Sequence, residues 1–170
     1  MDGLQPFVAV FSRTENPMRN LHLVGVILAA TTSFASAAAP SEARQFVAGR
    51  YDRYRHPGTE YLGRDARLAF TKKLLLLIRV DQARAPNGYA GTLDWDPICD
   101  CQDPDGIRLK TLDVRVVAPT KAKALVALAW KGGATRRVTL DLAKVDGIWR
   151  VADVYTRETP SLVALLQRQH

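Results

Sequence analysis

Residues 93–106 of this 170-residue chain contain the side chains best suited to chemistry. The segment reads LDWDPICDCQDPDG and includes both cysteines of the protein, Cys99 and Cys101. Clustered carboxylates can bind cations, transfer protons or shape turns, and neighbouring thiols can form a disulfide. The chain as a whole carries a net charge of +7, so this acidic segment is the most distinctive candidate site. Its five carboxylates are Asp94, Asp96, Asp100, Asp103 and Asp105.

Three interpretations of the segment remain open. In the structural one, Cys99 and Cys101 form a disulfide in an oxidising compartment, and the aspartates form turns through bonds to their own backbone. In the second, the segment binds a metal, since residues 103–106 resemble part of a calcium loop. In the third, the segment does acid–base or redox chemistry, with Asp94 and Asp96 as paired carboxylates if one of them is buried.

The residue pattern favours neither a metal nor a cofactor. With Gly106 at position six of an EF-hand loop, position one would be Cys101 and position twelve Leu112, so the calcium pattern fails. Zinc is disfavoured because only two histidines, His56 and His170, follow the N-terminal region. The C-x-C spacing also differs from the C-x-x-C arrangement that lowers a thiol pKa at a helix start. We therefore predict no metal and no cofactor.

The N-terminal region predicts export. From Met18 the chain has a basic residue, an apolar run over residues 21–30, and an A-x-A signal at residues 35–37. This order is typical of a signal peptide, and the apolar run is too short to span a membrane. We predict a signal peptide over 18–37, cleaved after Ala37, and a mature domain over 38–170 in the periplasm. Residues 1–17 have no role in a signal peptide, and we expect them to be an artefact of start-codon assignment.

The basic residues are scattered rather than clustered. The densest runs lie at residues 50–55, 72–73 and 136–137. None approaches the basic tract that follows a phosphate backbone, so we predict no nucleic-acid partner. No segment after residue 37 is long and apolar enough to predict a membrane span. The oligomeric state is not predicted by the sequence.

Three helices are predicted from apolar spacing and capping residues. The first begins at Ser41 as N-cap and ends at residues 56–58. The second runs from about Asp65 to Ala83 and contains the apolar run 74–78. The third follows Thr159 as the capping residue, with Pro160 at the first helical position.

Four strands are predicted between the second and third helices, after an irregular segment over 86–111. Apolar residues alternate with polar ones over 112–116 and 138–142, and residues 125–130 and 148–155 complete the set. Asp146 and Gly147 predict a hairpin turn. Helices grouped before an antiparallel meander indicate an α+β fold, in which the helices pack on one face of about four strands.

Three blocks of the chain resemble a family of small exported bacterial proteins, domain of unknown function family 3828. They are YDRY at residues 51–54, LDWDPICDCQD at 93–103 and GIWRVADV at 147–154. The last block is also similar to the final strand of cystatin-like and nuclear-transport-factor-2-like domains. The resemblance implies a curved antiparallel sheet that packs against helices, and it implies no activity.

The leading functional hypothesis is a non-catalytic periplasmic binding or accessory protein. Its contact surface would include the acidic segment, and its partner would be an envelope protein or a small ligand. One alternative is a small-molecule hydrolase or isomerase that uses Asp94, Asp96 or Asp153 in the concavity of the sheet. Strict alternation puts Asp153 on the same face as Val151, so Asp153 qualifies if that face is the core. In the other arrangement Trp149, Val151 and Asp153 form the outer face, and alternation does not choose between the two. The other alternative is thiol–disulfide exchange through Cys99 and Cys101.

Overall fold

The computed structural model describes residues 38–56, 58–59, 61–86 and 90–168. The predicted signal peptide and residues 1–17 lie outside the described residues. The described chain contains four α-helices and one open sheet of four antiparallel strands, in the order β1-β2-β3-β4. The predicted α+β class is therefore confirmed.

The first helix, α1 (Ala38–Asp52), continues into a short 3-10 turn, Arg53–Arg55. Within the described residues α1 already runs at Ala38, so Ser41 lies inside the helix and the prediction that it is the N-cap is wrong. Val47 and Tyr51 are buried on one side of α1, at the four-residue spacing that places side chains on one helix face.

The predicted second helix is two helices, α2 (Ala66–Ala69) and α3 (Lys72–Arg84). Between them, Phe70 and Thr71 have extended backbone, and Phe70 forms a parallel bridge with Val151. The Thr71 N–H donates to the Val151 carbonyl at 2.9 Å, and the Thr71 hydroxyl accepts from the Leu74 N–H at 3.4 Å. Thr71 therefore caps α3 while its backbone pairs with the sheet, and this double role interrupts the helix.

The sheet consists of β1 (Arg108–Ala118), β2 (Lys121–Ala129), β3 (Thr135–Val145) and β4 (Ile148–Tyr155). All four predicted strands are present. β1, β2 and β3 begin before their predicted starts, and β1 and β3 also extend past their predicted ends. The prediction that the irregular segment continues to residue 111 is wrong, because β1 begins at Arg108. The predicted hairpin turn between β3 and β4 is also present. Asp146 and Gly147 have φ values of 50° and 76°, as a two-residue hairpin with the twist of its strands requires.

Among the described residues, helices cover one face of the sheet and leave the other open. In β2, the alternating residues Ala122, Ala124, Val126 and Leu128 are buried, while the residues between them are exposed or partly exposed. Helix α1 packs mainly against β1, and α3 and α4 (Leu162–Arg168) pack against β4. The apolar core lies between these helices and the covered face.

The outer strand β1 receives a side chain on its backbone. The Arg44 guanidinium of α1 donates to the Leu112 carbonyl at 2.7 Å. This bond joins the first helix to the free edge of the sheet.

Candidate functional site

Residues 96–101, here called the disulfide loop, form a closed turn. The Asp96 N–H donates to the Cys101 carbonyl at 2.8 Å, and the Cys101 N–H donates back to the Asp96 carbonyl at 3.3 Å. A disulfide joins Cys99 and Cys101, whose Cα atoms are 5.2 Å apart. Asp100 lies between them with φ of 54°, a left-handed conformation that aspartate adopts more readily than most residues. The geometry is compatible with the predicted bridge.

Two tyrosines, one in the last turn of α1 and one in the 3-10 turn that follows it, donate hydrogen bonds to this loop. The Tyr51 hydroxyl donates to the Ile98 carbonyl at 2.7 Å, and the Tyr54 hydroxyl donates to Asp96 Oδ2 at 2.8 Å. Burial raises the pKa of both tyrosines, so both hydroxyls keep the protons that they donate. The Tyr61 ring packs edge-on against the Tyr54 ring, with centroids 5.3 Å apart. The loop therefore rests on a buried aromatic support.

Asp96 is a structural carboxylate of the loop rather than a surface group. Its Oδ1 accepts from the Ile98 N–H at 2.8 Å, and its Oδ2 accepts from Tyr54. Burial raises the pKa of Asp96 to about 6, although the hydrogen bonds from Tyr54 and from the Ile98 and Cys99 backbone oppose the rise. Asp94, the other member of the predicted pair, is exposed. The two carboxylates therefore occupy different environments.

A carboxylate that the sequence analysis did not single out fixes the approach to the loop. Asp81 of α3 is 5% exposed, and its two oxygens accept from the Thr92 and Leu93 N–H groups, each at 3.0 Å. A Cβ on Gly91 would lie 2.3 Å from Asp81 Oδ2, so the backbone passes this carboxylate at a distance that only glycine allows. An acidic residue near the end of a helix whose other charged residues are all basic was the available signal.

Two open cavities lie beside the loop and share three of their lining residues, Asp100, Arg136 and Glu158. The loop cavity, about 550 Å³, is also lined by Asp94 and by Trp95, Cys101 and Leu165. The arginine cavity, about 590 Å³, is lined in addition by Arg137 and Arg157 of β3 and the segment after β4, and by Thr135, Thr139, Tyr155 and Thr156. Together they make one trough, with Asp100, Arg136 and Glu158 at the junction of the two cavities.

Asp100 is only loosely paired at that position. Its Oδ2 lies 3.9 Å from Arg136 Nε, at the outer limit for an ion pair. Burial raises the pKa of Asp100, while Arg136 opposes the rise, the neighbouring Glu158 carboxylate adds to it, and a hydrogen bond with the Thr156 side chain opposes it. The carboxylate lines both cavities, so a ligand in either cavity would contact it.

The remaining acidic residues of the segment form a turn. Asp103 Oδ1 accepts from the Asp105 N–H at 2.9 Å, and the Trp130 indole N–H donates to the Asp103 carbonyl at 3.3 Å. The side chains of Asp103 and Asp105 are exposed. No cluster of three or more potential metal ligands occurs among the described residues.

Asp153 is engaged as a helix cap. A β-bulge at Ala152 shifts the alternation of β4, so Val151 and Val154 are buried while Asp153 pairs with the partly exposed Asp141. The expectation that strict alternation places Asp153 on the same face as Val151 is therefore wrong. Its Oδ1 accepts from the Val163 N–H at 3.0 Å, and its Oδ2 accepts from the Ser161 hydroxyl at 2.7 Å.

The start of α4 differs from the prediction in the same region. The Ser161 hydroxyl oxygen accepts from the Ala164 N–H at 3.0 Å, and α4 begins at Leu162. Ser161 is thus the N-cap, and the assignment of Thr159 as cap and Pro160 as first helical residue is wrong. Together, Ser161 and Asp153 satisfy N–H groups in the first turn of α4.

The fold and the site define an α+β domain in which a disulfide loop, supported by buried tyrosines, lies beside an open charged trough. No protein-family model matches the chain, so membership of family 3828 stays a prediction. The chain is 28% identical over 156 residues to the uncharacterized protein YqhG of Escherichia coli strain K12. The match covers 85% of this chain and spans about half the length of that relative, 49%.

Two solved structures share a partial likeness with the chain. They are the native and selenomethionine type VI effector–immunity complexes Tae3–Tai3 from Ralstonia pickettii. The alignments cover 69% and 70% of this chain, and 94% and 96% of the matched chains, at 18% and 17% identity. Their TM-scores of 0.43 and 0.41 are too low to support a functional comparison. Within the described ranges, no helix has the length and apolar character needed to cross a bilayer.

Proposed function

We propose that this protein is a non-catalytic binding or accessory protein of the bacterial periplasm, and that it contacts its partner through the rim of the disulfide loop. One observation carries the proposal: the disulfide-closed loop holds Asp100 in a left-handed conformation at the junction of two open cavities. A side chain that is already held in one conformation loses less conformational entropy when a partner binds.

The contacts of the other carboxylates also support binding over acid–base chemistry. Asp96 is occupied by Tyr54 and the loop backbone, and Asp153 by Ser161 and the start of α4. A proton-transfer group must come within hydrogen-bond distance of its substrate. The oxygens of Asp96 and Asp153 instead accept hydrogen bonds from the protein itself. Asp94 and Asp100 therefore form the contact surface, together with the neighbouring Glu158.

A matched pair of variants tests this surface. The test variant is Asp94→Asn with Asp100→Asn. The control is Asp113→Asn with Asp146→Asn, in which Asp113 is exposed on β1 and Asp146 has a left-handed φ of 50°, close to the 54° of Asp100. Both variants change the net charge equally, and asparagine tolerates the left-handed conformation in each.

Each protein is immobilised and incubated with a periplasmic extract, and the captured proteins are compared by quantitative mass spectrometry. We expect partners captured by the wild-type protein to be lost from the test variant and retained by the control. Equal capture by all three proteins, with unchanged thermal unfolding, would contradict the proposed surface.

The periplasmic location is tested separately by intact mass. The sequence order of the signal peptide supports cleavage after Ala37, and a disulfide-bonded Cys99–Cys101 pair suits an oxidising compartment. We expect a periplasmic product that begins at Ala38, is two hydrogens lighter than the reduced chain, and resists alkylation. An uncleaved chain with two alkylated thiols would refute both the location and the bridge.

A further inference from the structure

The trough beside the disulfide loop differs in charge between its two cavities, which share Asp100, Glu158 and Arg136. The loop cavity is lined by three carboxylates and one guanidinium, those of Asp94, Asp100, Glu158 and Arg136. The arginine cavity is lined by three guanidinium groups, those of Arg136, Arg137 and Arg157, against the two shared carboxylates of Asp100 and Glu158. The charge of the lining therefore changes sign from one cavity to the other.

Most of these charged groups have no ionic partner in the part of the chain that the structure describes. Among the described residues, Arg137, Arg157, Asp94 and Glu158 form no salt bridge, and the Arg136–Asp100 contact is long. Charges that converge on a cavity without pairing to each other are available to complementary charges of a ligand. A guanidinium group suits a carboxylate in particular, because its planar fork can donate two parallel hydrogen bonds.

The non-ionic lining favours a ligand with a short organic backbone between its charged ends. Trp95 and Leu165 give the loop cavity an apolar wall, and a tryptophan ring can pack on a ligand's alkyl or ammonium group. In the arginine cavity, Thr135, Thr139 and Tyr155 carry hydroxyl groups that can bond peptide groups. A simple anion would leave the acidic end unmatched, and a simple cation would leave the arginine end unmatched.

We propose that the trough binds the zwitterionic form of a short free peptide. The terminal carboxylate lies against Arg137 and Arg157, and the terminal ammonium lies against Asp94 and Glu158. This inference rests on the proposed function and gives the chemical class of its ligand. It also assigns ligand contacts to Glu158, Arg137 and Arg157, which lie outside the acidic segment.

The probe is the tripeptide Ala-Ala-Ala, compared by isothermal titration calorimetry with its N-acetylated, C-amidated and doubly blocked forms. Each free terminus contributes a charge-assisted hydrogen bond, so we expect blocking either one to weaken binding about tenfold or more. Affinity for the free tripeptide should also decrease as salt is added, because the ends of the trough are open to solvent.

Two double variants assign the ends of the trough. Arg137→Ala with Arg157→Ala should abolish the preference for a free C-terminus and keep the preference for a free N-terminus. Asp94→Asn with Glu158→Gln should do the reverse. The control Arg108→Ala with Arg115→Ala removes two exposed arginines of β1, outside both cavities, and should keep both preferences.

A variant that merely perturbed the fold would weaken all four probes alike, so the selective loss of one preference is the supporting result. Equal affinity for the free and doubly blocked tripeptides, or no binding of either by the wild-type protein, would overturn the inference. If that happened while protein capture still depended on Asp94 and Asp100, the proposed function would stand and only the peptide assignment would fail.

Discussion

Replacing Asp96 with asparagine should change how the stability of this protein depends on pH. In the folded protein, burial raises the pKa of Asp96 from the ordinary 3.8 to about 6. The folded state therefore holds the proton more tightly than the unfolded chain does. The free energy of unfolding must then decrease as the pH rises from the unfolded pKa to the folded one.

The magnitude follows from the size of the shift. A rise of roughly two pKa units corresponds to about 3 kcal/mol of stability, which is present at acid pH and lost above the folded pKa. About 2 kcal/mol of that change falls between about pH 4.5 and about pH 7. The asparagine does not titrate, and its carbonyl oxygen can still accept from the Ile98 N–H. Its amide can donate to the Tyr54 oxygen in place of the present bond, so the loop keeps its contacts.

The assay is urea unfolding of both proteins at several pH values in this range, followed by tryptophan fluorescence. Other titrating groups contribute equally to both proteins, so the difference between their unfolding free energies isolates Asp96. We expect Asp96→Asn to gain about 2 kcal/mol relative to the wild-type protein as the pH is raised from about 4.5 to about 7.

A difference that stays constant over this range would refute the reasoning. It would mean that Asp96 has the same pKa in the folded and unfolded states, and that the loop does not bury a charge. A change in the slope of unfolding free energy against urea would instead indicate that the substitution altered the compactness of one state.

Two further substitutions test the contacts that hold the loop and the last helix. Asp81→Asn exchanges one carboxylate oxygen for an amide that cannot accept from the backbone, so we expect a loss of about 2–3 kcal/mol in urea unfolding. Unchanged stability would show that the Thr92 and Leu93 bonds contribute nothing. Asp153→Ala removes the acceptor for Ser161 and Val163 and should lower stability by about 1–2 kcal/mol, with a loss of helical circular dichroism no greater than one turn of α4. A larger loss of helix would show that Asp153 supports more than this cap.

The strands were predictable from the sequence because alternation reflects one covered face and one open face. Val126 and Leu128 face the helices while Leu125 faces outward, and the period of two that results can be recognised in the sequence. The break at Phe70 and Thr71 was not predictable from apolar spacing, because the run that follows suits a continuing helix. The helix is interrupted because the Thr71 backbone bonds Val151 of β4, which lies far away in the sequence.

The candidate site was predictable in its location and only partly in the roles of its residues. The concentration of aspartates and cysteines identified the loop, but which carboxylate is buried depends on Tyr54, 42 positions away. The position of Asp153 depends on a one-residue bulge, which alternation cannot reveal. Arg136 and Arg137 were noted only as a basic run, since their proximity to Asp100 arises from the sheet and not from neighbouring sequence.

The pairing of Phe70 and Thr71 with Val151 also bears on self-association. An open sheet exposes backbone groups on its two outer strands, and such edges are sites at which identical chains can add strand to strand and aggregate. Here the Thr71 N–H occupies a carbonyl of β4 on one side, and the Arg44 guanidinium occupies a carbonyl of β1 on the other. A strand from a second molecule would have to displace one of these groups before it could extend the sheet. The interruption between α2 and α3 thus helps to limit the sheet to four strands.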